Sequence, residues 1–349
     1  MKKFFRKIFY WENWSYNAIY APLGVVWLYY AIRARAFWFF TPVNPTLIFA
    51  GFEGGSKNEV YEQLPAWSMP VTLLIESASE FEQVKQKLQQ AGLQYPVVAK
   101  PDSGMQGVLF RIIYNEEALM RYHAHVGEKY ILQTFVDFSY EFSVFHIRYP
   151  GNTKGKITGL ITKDYLHVMG DGENNLGQLV SLHPKAKSRI KKMENNFQSD
   201  WNRVLQAGEK FILDYAGNHV RGARFINLHQ EIDLRLSDVF DKLSNETGQF
   251  YFGRYDLKCS SLEDLKNGKN IRILEFNGAG AATIQIFDCN MSYWQALKVI
   301  VRHWDDLYKI GRINYHKGVP YWSFLKGRRF LKNANKNFKR MKAVDAGLL

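Results

Sequence analysis

Two strand-like runs separated by a polar break occupy residues 252–280. The runs read FGRYDLKCSS and IRILEFNGAG, and LEDLKNGKN lies between them. This arrangement predicts an antiparallel hairpin whose strands are joined by a long loop. Because side chains alternate along a strand, one face of the first strand should carry Arg254, Asp256 and Lys258. One face of the second strand should carry Ile273, Glu275 and Asn277.

Pairing of these strands predicts a site rich in oxygen ligands. It would bring Asp256, Glu275 and Asn277 together beside Arg254. Two carboxylates and an amide oxygen suit Mg²⁺ and substrate phosphates better than zinc or copper. The alternative is that these residues form only the polar outer face of a hairpin. The apolar neighbours of both acids, and the small residues NGAGA that follow, favour the metal site.

A second hairpin is predicted between residues 95 and 113. The segment YPVVAKPDSGMQGVLFRII reads as a buried strand with Lys100 at its end, a loop of small residues and a second strand. Lysine is seldom buried without a partner, and the run VVAKP places Lys100 next to core residues, which favours a functional role for it. Upstream, Gly-Gly-Ser leads into a short helix that begins at Lys57. The alternative is an ordinary hairpin and a solvated lysine.

The spacing of apolar residues predicts further elements. Residues 78–93 predict an amphipathic helix, and Tyr130 to Val136 predict a strand. Residues 154–183 predict a strand that carries Lys163, followed by a Gly-Asp-Gly turn and a helix. Residues 184–214 are charged and predict an inserted or connecting helix.

Both ends of the chain are basic, within a net charge of +13. Such ends favour an anionic membrane surface or nucleic acid. No nucleic-acid-binding motif is present, which disfavours nucleic acid as a partner. A helix is expected near residues 293–308, and the sequence WSFLKGRRFLKNANKNFKRMK beyond it predicts a basic amphipathic tail. That tail would either lie on lipid or be a solvated terminal helix.

Residues 13–32 contain no charged residue and many aromatic ones. Their number matches the length of a membrane span, but Asn13, Ser15, Asn17 and Pro22 make a span unfavourable. Two interpretations remain open. The segment either lies at a membrane interface with its aromatic rings at headgroup level, or is a buried aromatic helix packed on the rest of the protein.

Only two cysteines are present. This excludes a disulfide framework and a cysteine-rich zinc site, and it fits a reducing cytoplasm. Neither an HExxH motif nor a GxSxG motif occurs. The predicted location is the cytoplasm, either free or peripheral on the inner face of the cell membrane.

Six segments, in order, resemble the ATP-grasp enzymes. R-x-D followed about twenty residues later by hydrophobic-E-x-N-G is similar to the second half of their active site. D-alanine–D-alanine ligases and the ATP-grasp half of cyanophycin synthetase are the most similar versions. The resemblance covers residues 51 to about 310. It implies an α+β fold in which two α+β lobes hold the nucleotide between them, preceded here by an aromatic-rich segment.

The resemblance also implies a domain organisation. An aromatic and basic segment would occupy residues 1–50 and the N-terminal lobe residues 51–140. The C-terminal lobe with the metal site would occupy residues 141–310, and a basic tail residues 311–349.

The resemblance implies a role for each of the motif residues. The implied ATP-binding residues are Lys57, Lys100, Ser103, Gly104, Gly107, Gln133, Phe135, Val136 and Glu141. A glutamate is more usual in the family at the position of Gln133. The implied catalytic residues are Arg254, Lys163 and Arg221, of which Arg221 would meet the acceptor substrate. Asp256, Glu275 and Asn277 would hold two Mg²⁺ ions, or Mn²⁺ in their place.

The implied reaction is the ATP-dependent joining of a carboxylate to an amine through an acyl phosphate. Small-molecule or peptide-like carboxylates and amines would be the substrates. Two alternatives remain open, a kinase of a small molecule and a membrane-surface protein with a vestigial ATP site.

Overall fold

A computed structural model of the chain describes residues 11–214, 222–289 and 291–347. Its elements form an α+β fold with three sheets, and the predicted fold class is confirmed. The chain divides into two compact units. The larger unit contains residues 1–161 and 227–349, and the smaller unit contains residues 162–226. The four-part organisation implied by the resemblance stays a prediction.

The described α-helices are α1 (Tyr16–Tyr20), α2 (Gly24–Ala34), α3 (Lys57–Tyr61), α4 (Phe81–Gln90), α5 (Glu116–Val126), α6 (Leu176–Leu182), α7 (Ile190–Asn196), α8 (Leu234–Glu246), α9 (Leu262–Lys266), α10 (Tyr293–His316) and α11 (Phe324–Gly347). The described strands are β1 (Thr72–Ile75), β2 (Val97–Pro101), β3 (Arg111–Ile113), β4 (Tyr130–Thr134), β5 (Tyr140–Arg148), β6 (Gly155–Asp164), β7 (Leu166–Met169), β8 (Lys210–Asp214), β9 (Arg224–Asn227), β10 (Phe252–Cys259) and β11 (Arg272–Asn277).

The first sheet has the strand order β1-β4-β2-β3. Strand β2 pairs antiparallel with β3, which confirms the hairpin predicted between residues 95 and 113. The predicted helix over residues 78–93 is α4, and its Val84 and Leu88 are buried against this sheet's core. Strand β4 confirms the strand predicted from Tyr130.

The second sheet has the strand order β11-β10-β5-β6-β9. Strands β10 and β11 pair antiparallel, so the hairpin predicted over residues 252–280 is confirmed. The connection between them is not a loop throughout, because it contains helix α9. Ser261 caps that helix by accepting a hydrogen bond from the Asp264 amide, which is a cap signal that the sequence contains.

A β-bulge interrupts the β10–β11 ladder. Asp256 lies opposite Glu275, but the next residue, Leu257, lies opposite Ile273, so Leu274 is the extra residue. A bulge reverses the alternation of side chains beyond it. Ile273 is therefore buried in the core with Leu257, and the prediction that it shares a face with Glu275 and Asn277 is wrong.

The smaller unit has its own core. Leu176 and Val180 of α6 pack with Met193 of α7 and Leu213 of β8. The helix predicted over residues 184–214 is correct for α7, but residues 197–209 are turns and irregular backbone, and the last five residues are a strand. These form β8 because they pair antiparallel with β7, a contact that helical spacing does not reveal.

The aromatic N-terminal segment packs against other elements of the larger unit. Tyr30 of α2 stacks on Tyr308 of α10 with ring centroids 5.0 Å apart. Phe39 and Phe40 are fully buried in the same cluster. The packed interpretation is confirmed for this inner side. Among the described residues, no helix is long and apolar enough to cross a membrane.

Helix α11 closes over the larger unit. Phe330 packs against the aromatic cluster, and Met341 is buried in the core of the first sheet. Asp345 pairs with Arg111 at 2.8 Å. The interpretation of the tail as a solvated terminal helix is therefore wrong for its inner side, whereas its lysines face outward.

Substituting Gly327→Ala should loosen α11. An added Cβ would lie 2.3 Å from Nε1 of the buried Trp38, and such overpacking costs about 1–3 kcal/mol of the free energy of unfolding. Gly24→Ala is the matched control, because nothing lies within 4 Å of its added Cβ and it should stabilise by about 0.5 kcal/mol. Urea unfolding measures both. Equal effects of the two variants would contradict the close contact.

Candidate functional site

One face of the second sheet gathers the predicted metal-binding residues. Arg254 lies opposite Asn277, and Asp256 lies opposite Glu275. On the other side of β10, Ser143 of β5 lies opposite Asp256. Because partners in an antiparallel ladder point to the same side, these polar side chains converge as predicted.

The carboxylate of Asp256 is the centre of this group and is 5% exposed. Its Oδ1 accepts hydrogen bonds from Ser143 Oγ and, at 3.1 Å, from Arg254 Nε. Its Oδ2 accepts from Arg254 Nη2 at 2.9 Å and from Asn277 Nδ2 at 3.1 Å. Since Asn277 donates through its nitrogen, Oδ1 is the atom that it can offer to a cation.

Arg254 is held from both sides. Beyond its two bonds to Asp256, its Nη1 donates to the Ala282 carbonyl at 2.9 Å. Burial alone would lower the pKa of Arg254, but the Asp256 carboxylate outweighs that effect and the pKa is raised. The guanidinium therefore keeps its charge.

The donor set fits a hard cation. Asp256 and Glu275 supply carboxylate oxygens and Asn277 an amide oxygen, which are ligand types that Mg²⁺ accepts. In the described ranges, no group of three or more His, Cys, Asp and Glu side chains is arranged to hold a metal. A cation here would rest on two carboxylates, with the amide and non-protein oxygens completing its shell.

Lys100 extends from β2 of the first sheet to the second sheet. Its Nζ donates to Tyr61 Oη at 2.9 Å, to Gln133 Oε1 at 3.1 Å and to the Leu274 carbonyl at 2.9 Å. Tyr61 also donates to that carbonyl. Burial lowers the pKa of Lys100 to about 8, although the charge of Glu275 acts in the opposite direction.

Leu274 is the extra residue of the bulge. The bulge therefore does two things at this site. It turns Glu275 away from the core, and it presents a carbonyl to the lysine of the other sheet. Sequence reasoning found Lys100 but not this partner, because local alternation does not reveal a bulge.

Lys57 begins α3 as predicted, and Ser56 caps that helix. The Asp102 carboxylate accepts from Ser56 Oγ at 2.8 Å and from the Asn58 amide at 2.9 Å. The Nζ of Lys57 donates to the carbonyls of Asp102 at 3.4 Å and Gly104 at 3.1 Å. Burial lowers the pKa of Lys57, and Glu275 partly offsets the effect.

The predicted phosphate loop follows Asp102. Ser103 and Gly104 are half-buried, and Gly107 is exposed. Gly107 has a φ of 69°, a left-handed conformation that glycine adopts readily. The structure brings this loop to Lys57, whereas donation of its backbone N–H groups to phosphates stays a prediction.

Four of the predicted ATP-binding residues, Gln133, Phe135, Val136 and Glu141, lie at the end of β4 and in β5. Gln133 is buried and donates through Nε2 to Thr72 Oγ1 at 2.8 Å, so its amide bridges Lys100 and Thr72. Val136 is buried, Phe135 is half-buried, and Glu141 is 7% exposed. Glu141 is therefore a buried acid on its strand.

Lys258 is a residue to which sequence reasoning gave no role. It lies opposite Glu141 in the β5–β10 ladder, and its Nζ is 5.6 Å from the centroid of the Phe135 ring. Burial lowers the pKa of Lys258, and Glu141 and Asp137 oppose that effect. The sequence does contain a signal for Lys258, because strand alternation places it on the same face as Arg254 and Asp256.

The turn after Asn277 rests on a loop from the N-terminal region. The amides of Gly278 and Ala279 donate to the carbonyls of Gly51 and Ala50 at 3.1 and 2.9 Å. A Cβ on Gly278 would lie 2.3 Å from the Ala50 carbonyl oxygen. Gly278 therefore allows a close approach of two backbones at this turn.

Asn44 fastens that loop to β10. Its Nδ2 donates to the carbonyls of Ala50 and Phe252, and its Oδ1 accepts from the amides of Tyr251 and Phe252. The side chain is fully buried. Asn44 lies in the part of the chain that the motifs do not cover, so sequence reasoning missed it.

The sequence also predicts two further catalytic residues, Lys163 and Arg221. Lys163 lies on β6, in the part of that strand that belongs to the smaller unit. Arg221 lies outside the described residues. Their predicted roles remain predictions.

No family model matches the chain. No curated protein matches it either. Among solved structures, it is similar to the bifunctional glutathione synthetase from Pasteurella multocida, with a TM-score of 0.40 and 16% identity over 72% of this chain and 36% of that one.

The chain is also similar to D-alanine–D-alanine ligase from Bacillus anthracis complexed with ATP, with a TM-score of 0.42 and 12% identity over 75% of this chain and 68% of that one. A third similar structure is the ADP complex of N5-carboxyaminoimidazole ribonucleotide synthetase, with a TM-score of 0.38 and 15% identity over 73% and 52% of the two chains. These neighbours are ATP-grasp enzymes.

Tyr61→Phe should weaken the junction between the two sheets. The variant removes a hydroxyl that donates to Leu274 and accepts from Lys100, which should cost about 1–2 kcal/mol of the free energy of unfolding. Tyr114→Phe is the control, because Tyr114 is 67% exposed and should change stability by less than about 0.5 kcal/mol. Urea unfolding of both variants measures the difference. Indistinguishable midpoints would contradict the role given to the Tyr61 hydroxyl.

Proposed function

We propose that the chain is an ATP-grasp enzyme that joins a carboxylate to an amine with cleavage of ATP. The observation that supports this most is the grouping of three cations with two carboxylates in one unit. Arg254 pairs with Asp256, and the charge of Glu275 acts on both Lys57 and Lys100. Such a group offsets the concentrated negative charge of a polyphosphate.

The ATP site would lie along this group. Lys57 and Lys100 would hold phosphate oxygens as point charges, and the loop from Asp102 to Gly107 would cover them with its amides. Phe135 and Val136 would enclose the base, and Glu141 would accept from the ribose hydroxyls. Lys258 lies beside Phe135 and Glu141, which adds a cation to this end of the site.

Asp256, Glu275 and Asn277 would hold Mg²⁺. When bound, the metal neutralises phosphate charge and polarises the phosphoryl group that is transferred. Arg254 would stabilise the charge on the equatorial oxygens of that group, because its guanidinium is fixed by Asp256 and the Ala282 carbonyl. We propose that the site holds two ions, and that Mn²⁺ can replace Mg²⁺.

The proposed reaction has two steps. A substrate carboxylate attacks the γ-phosphorus of ATP, the bond to the β–γ bridging oxygen breaks, and ADP leaves. The acyl phosphate is then attacked by an amine, which loses a proton as phosphate departs. Small-molecule or peptide-like carboxylates and amines are the proposed substrates. Neither step uses a covalent enzyme nucleophile, and roles for Lys163 and Arg221 are part of the proposal.

Glu275→Gln should abolish turnover and leave the protein folded. The substitution removes one carboxylate ligand, and loss of the metal's contribution should lower the rate about a hundredfold or more. Calorimetry of ATP binding with Mg²⁺, followed by phosphate release over mixtures of acids and amines, measures the effect. Glu263→Gln in α9 is the matched control, because that side chain is 63% exposed and pairs with Arg235.

Two outcomes of that experiment would overturn the proposal. Full activity of Glu275→Gln would contradict the proposed metal site. ADP release that does not require an amine would indicate a kinase. Asp256→Asn is a poorer test, because it leaves the buried Arg254 without its partner carboxylate. Breaking such a pair costs about 3–5 kcal/mol of stability.

ATP binding should take up protons near pH 8. The Nζ of Lys100 has a pKa of about 8, so it is partly deprotonated there, and bound phosphate favours its charged form. Calorimetry in buffers of different ionisation enthalpy counts the protons. Lys100→Arg stays protonated and should lower the uptake, whereas Lys129→Arg, at an exposed position, should not. Unchanged uptake in Lys100→Arg would contradict the contact between Lys100 and phosphate.

A further inference from the structure

The outer side of α2 is apolar and exposed. Val25, Leu28, Tyr29 and Ile32 recur at the spacing of one helix face, and Val25 and Ile32 are 76% and 66% exposed. The opposite side of the same helix is buried in the aromatic cluster through Tyr30. The exposed side is therefore not needed for packing within the described protein.

The start of α11 extends this surface. The ring of Phe37, just after α2, lies 5.4 Å from the ring of Phe324. Leu325 follows and is 68% exposed. We call this surface the apolar face, and its residues are Val25, Leu28, Ile32, Phe37, Phe324 and Leu325.

Basic side chains border the apolar face. Arg33 and Arg35 lie at the end of α2 and are exposed. Helix α11 carries eight basic residues and one acidic residue, a net charge of +7. The acid, Asp345, pairs with Arg111 of the first sheet. The outward side of α11 is thus positive, beginning with Lys326, Arg328, Arg329 and Lys332.

We infer that the apolar face and the outer side of α11 dock on the surface of a bilayer that contains anionic lipid. Exposed aliphatic and aromatic side chains enter the boundary between headgroups and acyl chains. Lysine and arginine beside them attract the anionic headgroups. The two helices would lie in the plane of the membrane, which agrees with the finding that no described helix is suited to span it.

Other occupants fit this surface less well. Nucleic acid would pair with the basic side chains of α11 but leave Val25, Leu28 and Ile32 in water. A symmetric dimer through the apolar face would bring the basic borders of two copies together, and such like-charge contacts are unfavourable. A bilayer satisfies the apolar and the charged parts at once. The inference does not rest on the proposed reaction.

Vesicle flotation of the full chain tests the inference. We expect binding to vesicles of phosphatidylcholine with about 30 mol% phosphatidylglycerol, and weak binding to phosphatidylcholine alone. Binding to the anionic vesicles should fall when salt is raised from about 0.1 M to about 1 M.

Two sets of substitutions separate the contributions. Leu28→Gln with Ile32→Gln should weaken binding to anionic vesicles about tenfold, because two apolar side chains no longer enter the lipid. Arg328→Gln, Arg329→Gln and Lys332→Gln together should weaken it about a hundredfold at low salt. Leu234→Gln is the matched control, because Leu234 is 83% exposed on α8 and should leave binding unchanged.

Three outcomes would overturn the inference. One is equal flotation of the wild type and the Leu28→Gln/Ile32→Gln variant. Another is that a DNA duplex displaces the protein from vesicles and also binds the Leu28→Gln/Ile32→Gln variant as tightly as it binds the wild type. The last is that the wild type is a dimer in sedimentation velocity and does not float with vesicles, whereas the same variant is a monomer. ATP binding by each variant is measured separately. A loss of vesicle binding with ATP binding intact then concerns the membrane surface alone and not the proposed reaction.

Discussion

A buried ammonium group, that of Lys100, joins the two main sheets of the larger unit. It leaves the end of β2 and donates to a carbonyl of β11, with Tyr61 and Gln133 completing its partners. A buried charge is tolerated only when its hydrogen bonds are satisfied. The bulge at Leu274 supplies one of the acceptors and also turns Glu275 toward the site. The direction of Glu275 and one hydrogen bond of Lys100 thus both depend on this β-bulge.

The charges of the site are arranged so that each has an opposing neighbour. Arg254 and Asp256 neutralise each other through two hydrogen bonds, and Glu275 acts on both buried lysines. Burial lowers the pKa of both lysines, because each ammonium group loses hydration when it leaves water. Bound phosphate would favour the charged form of both lysines, and a divalent cation would pair with the carboxylates of Asp256 and Glu275. The two proposed ligands therefore complement each other.

The hairpins, the fold class and most of the candidate site could be predicted, because their signals are local. Lys100 ends an apolar run, and Asp256 and Glu275 alternate with core residues. What could not be predicted depends on contacts between distant segments. Ile273 lies on the opposite face from the predicted one, because no pattern in the sequence marks the bulge. Asn44 bonds to residues about 200 positions away, so nothing near it in the sequence indicates its role.

Helix α11 has a consequence for how the protein is made. The ribosome synthesises it after every other described element, yet its inner side covers both the aromatic cluster and the core of the first sheet. Until Phe330 and Met341 leave the exit tunnel, those two cores stay uncovered on the nascent chain. Final closure is therefore a step that follows translation of the rest of the larger unit, and exposed aromatic surface at that stage is where a chaperone would bind.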